Sequence, residues 1–127
     1  MVAAKRILVI VSMLFMLGVV LQFFFAGLGL LGGEDWELHE AFGWSALMLT
    51  PVLILVVAYL AKGGRVMLLL CLALVVVSLI QPFWVSEFRG ELLGSMHVLG
   101  ALVIFTLAHH VSQRAMREMR EMRGDSA

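Results

Sequence analysis

The chain has 127 residues, of which 62% are hydrophobic and 14% charged, and its mean hydropathy is +1.03. A soluble domain of this length cannot hide so much apolar surface, so composition alone points to the membrane class. Nine basic residues balance nine acidic ones, which gives a nucleic-acid partner no electrostatic support, and the single cysteine, Cys71, excludes an intrachain disulfide.

Residues 7–33, 41–61, 66–86 and 92–113 carry no Asp, Glu, Lys or Arg. Each run meets the roughly 20 residues that a helix needs to cross a hydrocarbon core of about 30 Å. Backbone amides in lipid must be paired within their own segment, so the runs are expected to be helices. The predicted fold is all-α: an integral membrane four-helix bundle in one domain, with spans at about 7–30, 40–61, 65–85 and 92–112. The first span follows Lys5-Arg6, as a secretory signal core follows its basic region. Its apolar run is longer than the roughly 7–15 residues of such a core. The same pattern returns after Arg65, where cleavage makes no sense.

Pro51 lies near the middle of the second span. It lacks an amide donor and frees the carbonyl of Leu47, which predicts a kink. Lys62-Gly63-Gly64-Arg65 is a short turn that makes the second and third spans antiparallel neighbours. Pro82 follows Gln81 near the outer end of the third span. The segment 113–127, QRAMREMREMRGDSA, reads as a basic cytoplasmic tail. It is either a solvated helix end or an electrostatic anchor on anionic lipid, with Glu118 and Glu121 diluting the second effect.

In a four-span arrangement Lys5, Arg6, Lys62, Arg65, Arg114, Arg117, Arg120 and Arg123 fall on one side and Arg89 on the other. The positive-inside rule then places both termini in the cytoplasm. Glu34, Asp35, Glu37, Glu40, Glu87 and Glu91 occupy the outer loops. Acidic groups there favour helix starts. They are a poorer argument for a divalent metal, which is the other use of such a cluster. Trp36, Trp44 and Trp84 fit an interfacial belt.

Two stretches resemble each other. LQFFFAGLGLLGGEDWELHEAFG covers 21–43, and IQPFWVSEFRGELLGSMHVLG covers 80–100. Gln22 and Gln81 are 59 positions apart (81 − 22), Arg6 and Arg65 are also 59 apart (65 − 6), and His39 and His97 are 58 apart (97 − 39). The expected architecture is therefore two parallel two-helix repeats related by an axis along the membrane normal. At 1.5 Å per residue, His97 lies about 25 Å from Arg114 and Gln22 about 24 Å from Arg6, so the two share a layer in the outer leaflet.

This Gln/His layer is the main functional lead. His39 and His97 head stripes that otherwise hold small or apolar residues: His39, Gly43, Ala46 and Thr50 on one helix, His97, Ala101, Ile104 and Ala108 on another, with Gly100 adjacent. Small residues beside a polar one let helices, or a flat ligand, come close. The sharp reading is a haem b held by His39 and His97, since haem iron takes two imidazoles on opposite faces. Gln22 and Gln81 would then accept the free ring N–H, and Gly43 and Gly100 would give the ligand room. The alternative is a non-catalytic accessory or quinone- or lipid-binding subunit, whose Gln/His layer is only a set of inter-helix hydrogen bonds. Transport has little support, because no Asp, Glu, Lys or Arg is buried in a span. His109 and His110 sit at the inner end of the fourth span. A second haem there lacks a histidine partner, Met13 or Met16 being the conceivable ligands, and interfacial histidines are the simpler account.

With LQFFFAGLG, WELHEAFGW and SMHVLG in view, the chain resembles a family of small four-span bacterial membrane proteins known as a domain of unknown function. The likeness runs from Arg6 to about Gln113 and implies an integral membrane protein without an activity. The placement of His39 and His97 on alternate helices is also similar to that of di-haem b-type cytochromes of the inner membrane. The chain departs from these by lacking the second ligand pair.

Overall fold

The computed structural model describes residues 2–32, 36–88, 90 and 92–124. Among them every regular element is helical. Helix α1 spans Val2–Leu31, α2 spans Glu37–Phe42, α3 spans Thr50–Leu60, α4 spans Arg65–Glu87 and α5 spans Met96–Arg123. A π-helical turn, Gly43–Leu47, lies between α2 and α3, and a 3-10 turn, Leu92–Ser95, leads into α5. Four helical stretches are long and apolar enough to cross a membrane: Val2–Leu31, Glu37–Leu60, Arg65–Glu87 and Leu92–Arg123. The chain is thus a multi-pass membrane protein. Of the outer-loop charges named above, Glu34, Asp35, Arg89 and Glu91 lie outside the described residues.

The spans form a ring in chain order. Helix α1 packs on α3 and α5, and α4 packs on α3 and α5. The diagonals of the ring are therefore α1 with α4, and the α2–α3 span with α5. The centre of the half nearer the Lys62–Arg65 turn is a packed apolar core. Leu8, Phe15, Ile54, Met67, Leu74 and Val111 are fully or almost fully buried there. Ala58, Cys71, Ala108 and Ala115 are each 0% exposed and let the backbones approach closely. The outward faces stay apolar, with Leu14, Leu69 and Leu102 among many exposed examples. Water would penalise that surface heavily, but lipid tails are as apolar as leucine and do not.

The second span is interrupted rather than simply kinked. Pro51 has no N–H for the Leu47 carbonyl and starts α3 in its first turn, a position that suits proline. The turn before it widens, and the amide of Met48 reaches back five residues to Gly43 O at 3.1 Å. The hydroxyl of Thr50 bonds Ala46 O, and that of Ser45 bonds Ala41 O at 2.6 Å, so side chains cover carbonyls where the α ladder is disturbed. At its other end α3 closes on the 61–64 turn. Lys62 adopts φ 54°, and the amides of Lys62 and Gly63 bond Tyr59 O at 3.0 Å and Ala58 O at 2.9 Å. That left-handed residue reverses the chain into α4.

Helices α1 and α5 both extend past the spans read from the sequence. Basic residues end an apolar run but do not break a helix, so α5 continues unbroken to Arg123 and closes on left-handed Gly124. Val111, Ser112 and Ala115 are buried in the bundle. Lys5 Nζ donates to Glu118 Oε2 at 3.0 Å, and Arg114 Nε lies 3.3 Å from Glu118 Oε1. The first part of the basic segment is therefore helix packed beside α1, not a frayed end.

Candidate functional site

Gln22 lies on α1, His39 on α2, Gly43 at the start of the π turn, Gln81 on α4, and His97 and Gly100 on α5. The bundle brings all six to one end, the end opposite the Lys62–Arg65 turn. His39 Nδ1 is 3.2 Å from the backbone carbonyl of Gln22, and His97 Nδ1 is 3.2 Å from the backbone carbonyl of Gln81. A carbonyl oxygen only accepts, so each bond requires a proton on Nδ1. In a neutral imidazole the other nitrogen, Nε2, then keeps its lone pair. The Gln22 side chain returns the contact, donating from Nε2 to the His39 carbonyl at 2.7 Å.

The two rings meet across the bundle diagonal. Their centres are 6.0 Å apart and their planes are inclined at 69°. Two imidazoles bound to one metal ion at about 2.0–2.1 Å each would have ring centres roughly 6 Å apart. The ring centres of His39 and His97 lie at that separation, with the rings in an edge-to-face contact. No group of three or more His, Cys, Asp or Glu side chains converges on a metal site among the described residues.

The expected roles of the glutamines and glycines change in detail. It is the glutamine backbone, not its side-chain amide, that takes each ring N–H. A carbonyl already in a helix ladder retains a second lone pair, which is what the imidazoles use. Gly43 and Gly100 do not open room for a flat ligand. A methyl group on Gly43 would lie 2.8 Å from Gln22 Nε2, and one on Gly100 would overlap the Gln81 amide. The glycines are seats for glutamine side chains, because a helix without a Cβ at that point lets the neighbouring helix's amide reach its backbone.

Four polar atoms in this region are buried with no partner: Gln22 Oε1, both amide atoms of Gln81, and Ser78 Oγ one turn further in. Gln81 is only 8% exposed. An unpaired polar group in an apolar setting costs roughly 1–3 kcal/mol on protein mutational evidence.

Trp36 joins the site, which belt statistics did not anticipate. Its ring centre is 5.6 Å from that of His39, edge to face at 90°. The indole lies flat on Gly29 of α1, where an added methyl would come within 3.0 Å of Cδ2 and Cε2. The only sequence signal was its spacing, three residues before His39. His109 and His110 do not join anything. Both are exposed on α5, with ring centres 6.1 Å apart, and Met13 is itself 50% exposed on α1.

A family profile matches residues 22–89, more than half of the chain, and spans Gln22, His39, Gly43 and Gln81. The chain belongs to that family, described as a family of unknown function, DUF6220. No curated protein and no solved structure matches it.

Proposed function

We propose that this is a bacterial inner-membrane protein that binds one haem b through His39 and His97 near its outer face and serves electron transfer. The observation that carries the reading is the matched pair of Nδ1 bonds to the Gln22 and Gln81 carbonyls, with the two rings 6.0 Å apart. Those bonds fix both tautomers, orient both rings and raise the basicity of Nε2, which is the work of the groups behind a metal-bound histidine. When bound, the haem supplies a one-electron couple. His39 and His97 hold it from diagonal spans, Gln22 and Gln81 brace the ligands, and the Gln81 amide is left to meet a polar edge or a water.

We also read the chain as two parallel two-helix repeats with both termini in the cytoplasm. Support comes from the ring order of the spans and from one histidine–glutamine-carbonyl bond in each half, both at 3.2 Å. Lys5, the Lys62–Arg65 turn and Arg114 lie at the same end of the helices, away from the histidines. A haem in the outer layer would exchange electrons with a periplasmic redox partner or with quinone.

A second reading keeps some support. The Gln22 amide already bonds the His39 carbonyl at 2.7 Å, and the two rings touch each other. A polar layer knitted in this way suits an accessory or quinone-binding bundle. A reduced-minus-oxidised difference spectrum of protein from haem-replete cells separates the two. The haem reading expects a sharp α-band that disappears in His39→Ala and in His97→Ala and persists in His110→Ala. Protein that stays colourless through a haem titration overturns it and leaves the accessory bundle.

A further inference from the structure

A lateral groove of about 710 Å³ runs between α3 and α4 at the end of the bundle opposite the histidines. It is lined by Leu55, Val56, Leu68, Leu69 and Leu72, with Tyr59 and Arg65 beside the 61–64 turn completing the lining. From Arg65 to Leu72 is seven helical residues, about 10 Å along the membrane normal. The groove is thus apolar along its depth, and exposed Arg65, the first residue of α4, sets a cation beside its end, the arrangement an anionic lipid would complement. Arg65 makes no ion pair among the described residues. Its neighbour Gly64 presents no side chain, and a methyl group placed there would meet nothing within 4 Å. A bulky headgroup can therefore approach the guanidinium and the adjoining backbone unhindered. Tyr59 is 70% exposed and sets a phenol at headgroup level, where amphipathic rings are most stable.

We infer that this groove is a site for an anionic phospholipid, with one acyl chain between α3 and α4 and the phosphate against Arg65. Arginine suits this role because its planar fork matches two phosphate oxygens, whereas a lysine offers a point charge. A zwitterionic lipid fills the apolar part equally well, but its own cation offsets the attraction at Arg65. The site is independent of the histidine layer, so it stands whether or not haem binds there.

The test is native mass spectrometry of the full-length protein, delipidated in detergent and then given dioleoylphosphatidylglycerol or dioleoylphosphatidylcholine. The chains are identical, so the ratio of retained adducts reads the headgroup alone. The expected preference for the glycerol lipid is roughly fivefold, the factor equivalent to about 1 kcal/mol for one basic group at the surface. Arg65→Gln should bring the ratio close to one. Lys62→Gln removes a charge from the same turn but not from the groove, and should leave most of the preference. Leu69→Trp, a substitution on the exposed wall, should lower retention of both lipids. Equal retention by the wild type, or a preference that survives Arg65→Gln, overturns the inference. So does a dimer in which α3 and α4 face each other and no lipid is retained.

Discussion

Gly100 and the side chain of Gln81 interlock across the contact between α4 and α5. A methyl group on Gly100 would meet Nε2, Cδ and Oε1 of that amide together. The same amide belongs to the residue whose carbonyl holds His97, so a small change in one helix acts on that imidazole through the other.

Gly100→Ala is therefore expected to destabilise the protein by about 1–3 kcal/mol, the usual cost of overpacking. On the haem proposal it should also weaken haem retention by displacing Gln81 from behind His97. Gly43→Ala meets the Gln22 amide at one close atom, Nε2 at 2.8 Å, and should cost less. Denaturant or thermal unfolding in detergent gives the first quantity and the difference spectrum the second. Equal, negligible effects from both would show that the glutamines are not held by the glycines.

Trp36 should report occupancy of the layer. It is one of three tryptophans and lies 5.6 Å, centre to centre, from His39. Haem titration is expected to quench its emission strongly, so that Trp36→Phe removes a large part of the total fluorescence change. If the change is the same in wild type and variant, the haem is not bound at His39.

The pair formed by Lys5 and Glu118 ties the start of α1 to the extension of α5. Their side chains are 13% and 20% exposed, between the exposed and buried cases. Glu118→Gln should cost about 1–2 kcal/mol, more than a surface pair and less than a buried one. Lys5→Gln combined with Glu118→Gln should cost less than the sum of the single changes, because only the contact with Arg114 is then left for Glu118 to lose. Additive losses would mean that the pair contributes nothing as a pair.

Lys62 holds φ 54°, a conformation that costs an L-residue about 1–2 kcal/mol. Lys62→Gly should raise stability, by about 1 kcal/mol once the greater freedom of glycine in the unfolded chain is deducted. A loss of stability on this change would indicate that the lysine side chain makes a compensating contact.

Topology is open to a direct test. Reporter fusions after residues 34 and 88 should face the periplasm and a fusion at the C-terminus should face the cytoplasm. A periplasmic C-terminus would remove the orientation proposed above, and with it the outer placement of His39 and His97.

The four spans were legible because charge is so costly in lipid that its absence alone outlines each run. Helix ends were less legible. Val2 and Arg123 are helical because nothing breaks the hydrogen-bond ladder there, although hydropathy stops short of both. The spacing of His39, His97, Gln22 and Gln81 pointed to residues that contact one another. What they bond was not legible, because a glutamine offers both a side chain and a carbonyl, and the choice depends on rotation and depth that composition does not contain. Trp36 was missed for a related reason: an interfacial tryptophan and one lying on Gly29 have the same sequence context.

The wide turn at Gly43–Leu47 has a consequence for phase. His39 faces the bundle interior from above it, while Pro51 and Ala58 are buried below it. At 100° per residue, an unbroken α-helix would set Pro51 about 120° (12 steps) and Ala58 about 100° (19 steps) around the axis from His39. One residue absorbed by the π turn leaves 11 and 18 steps, which bring them to about 20° and 0°. An ideal helix would have to choose between aiming His39 inward and aiming the core residues inward. The irregular turn works as a one-residue gear that lets the span do both, and shortening it by a residue would turn one half of the helix against the other.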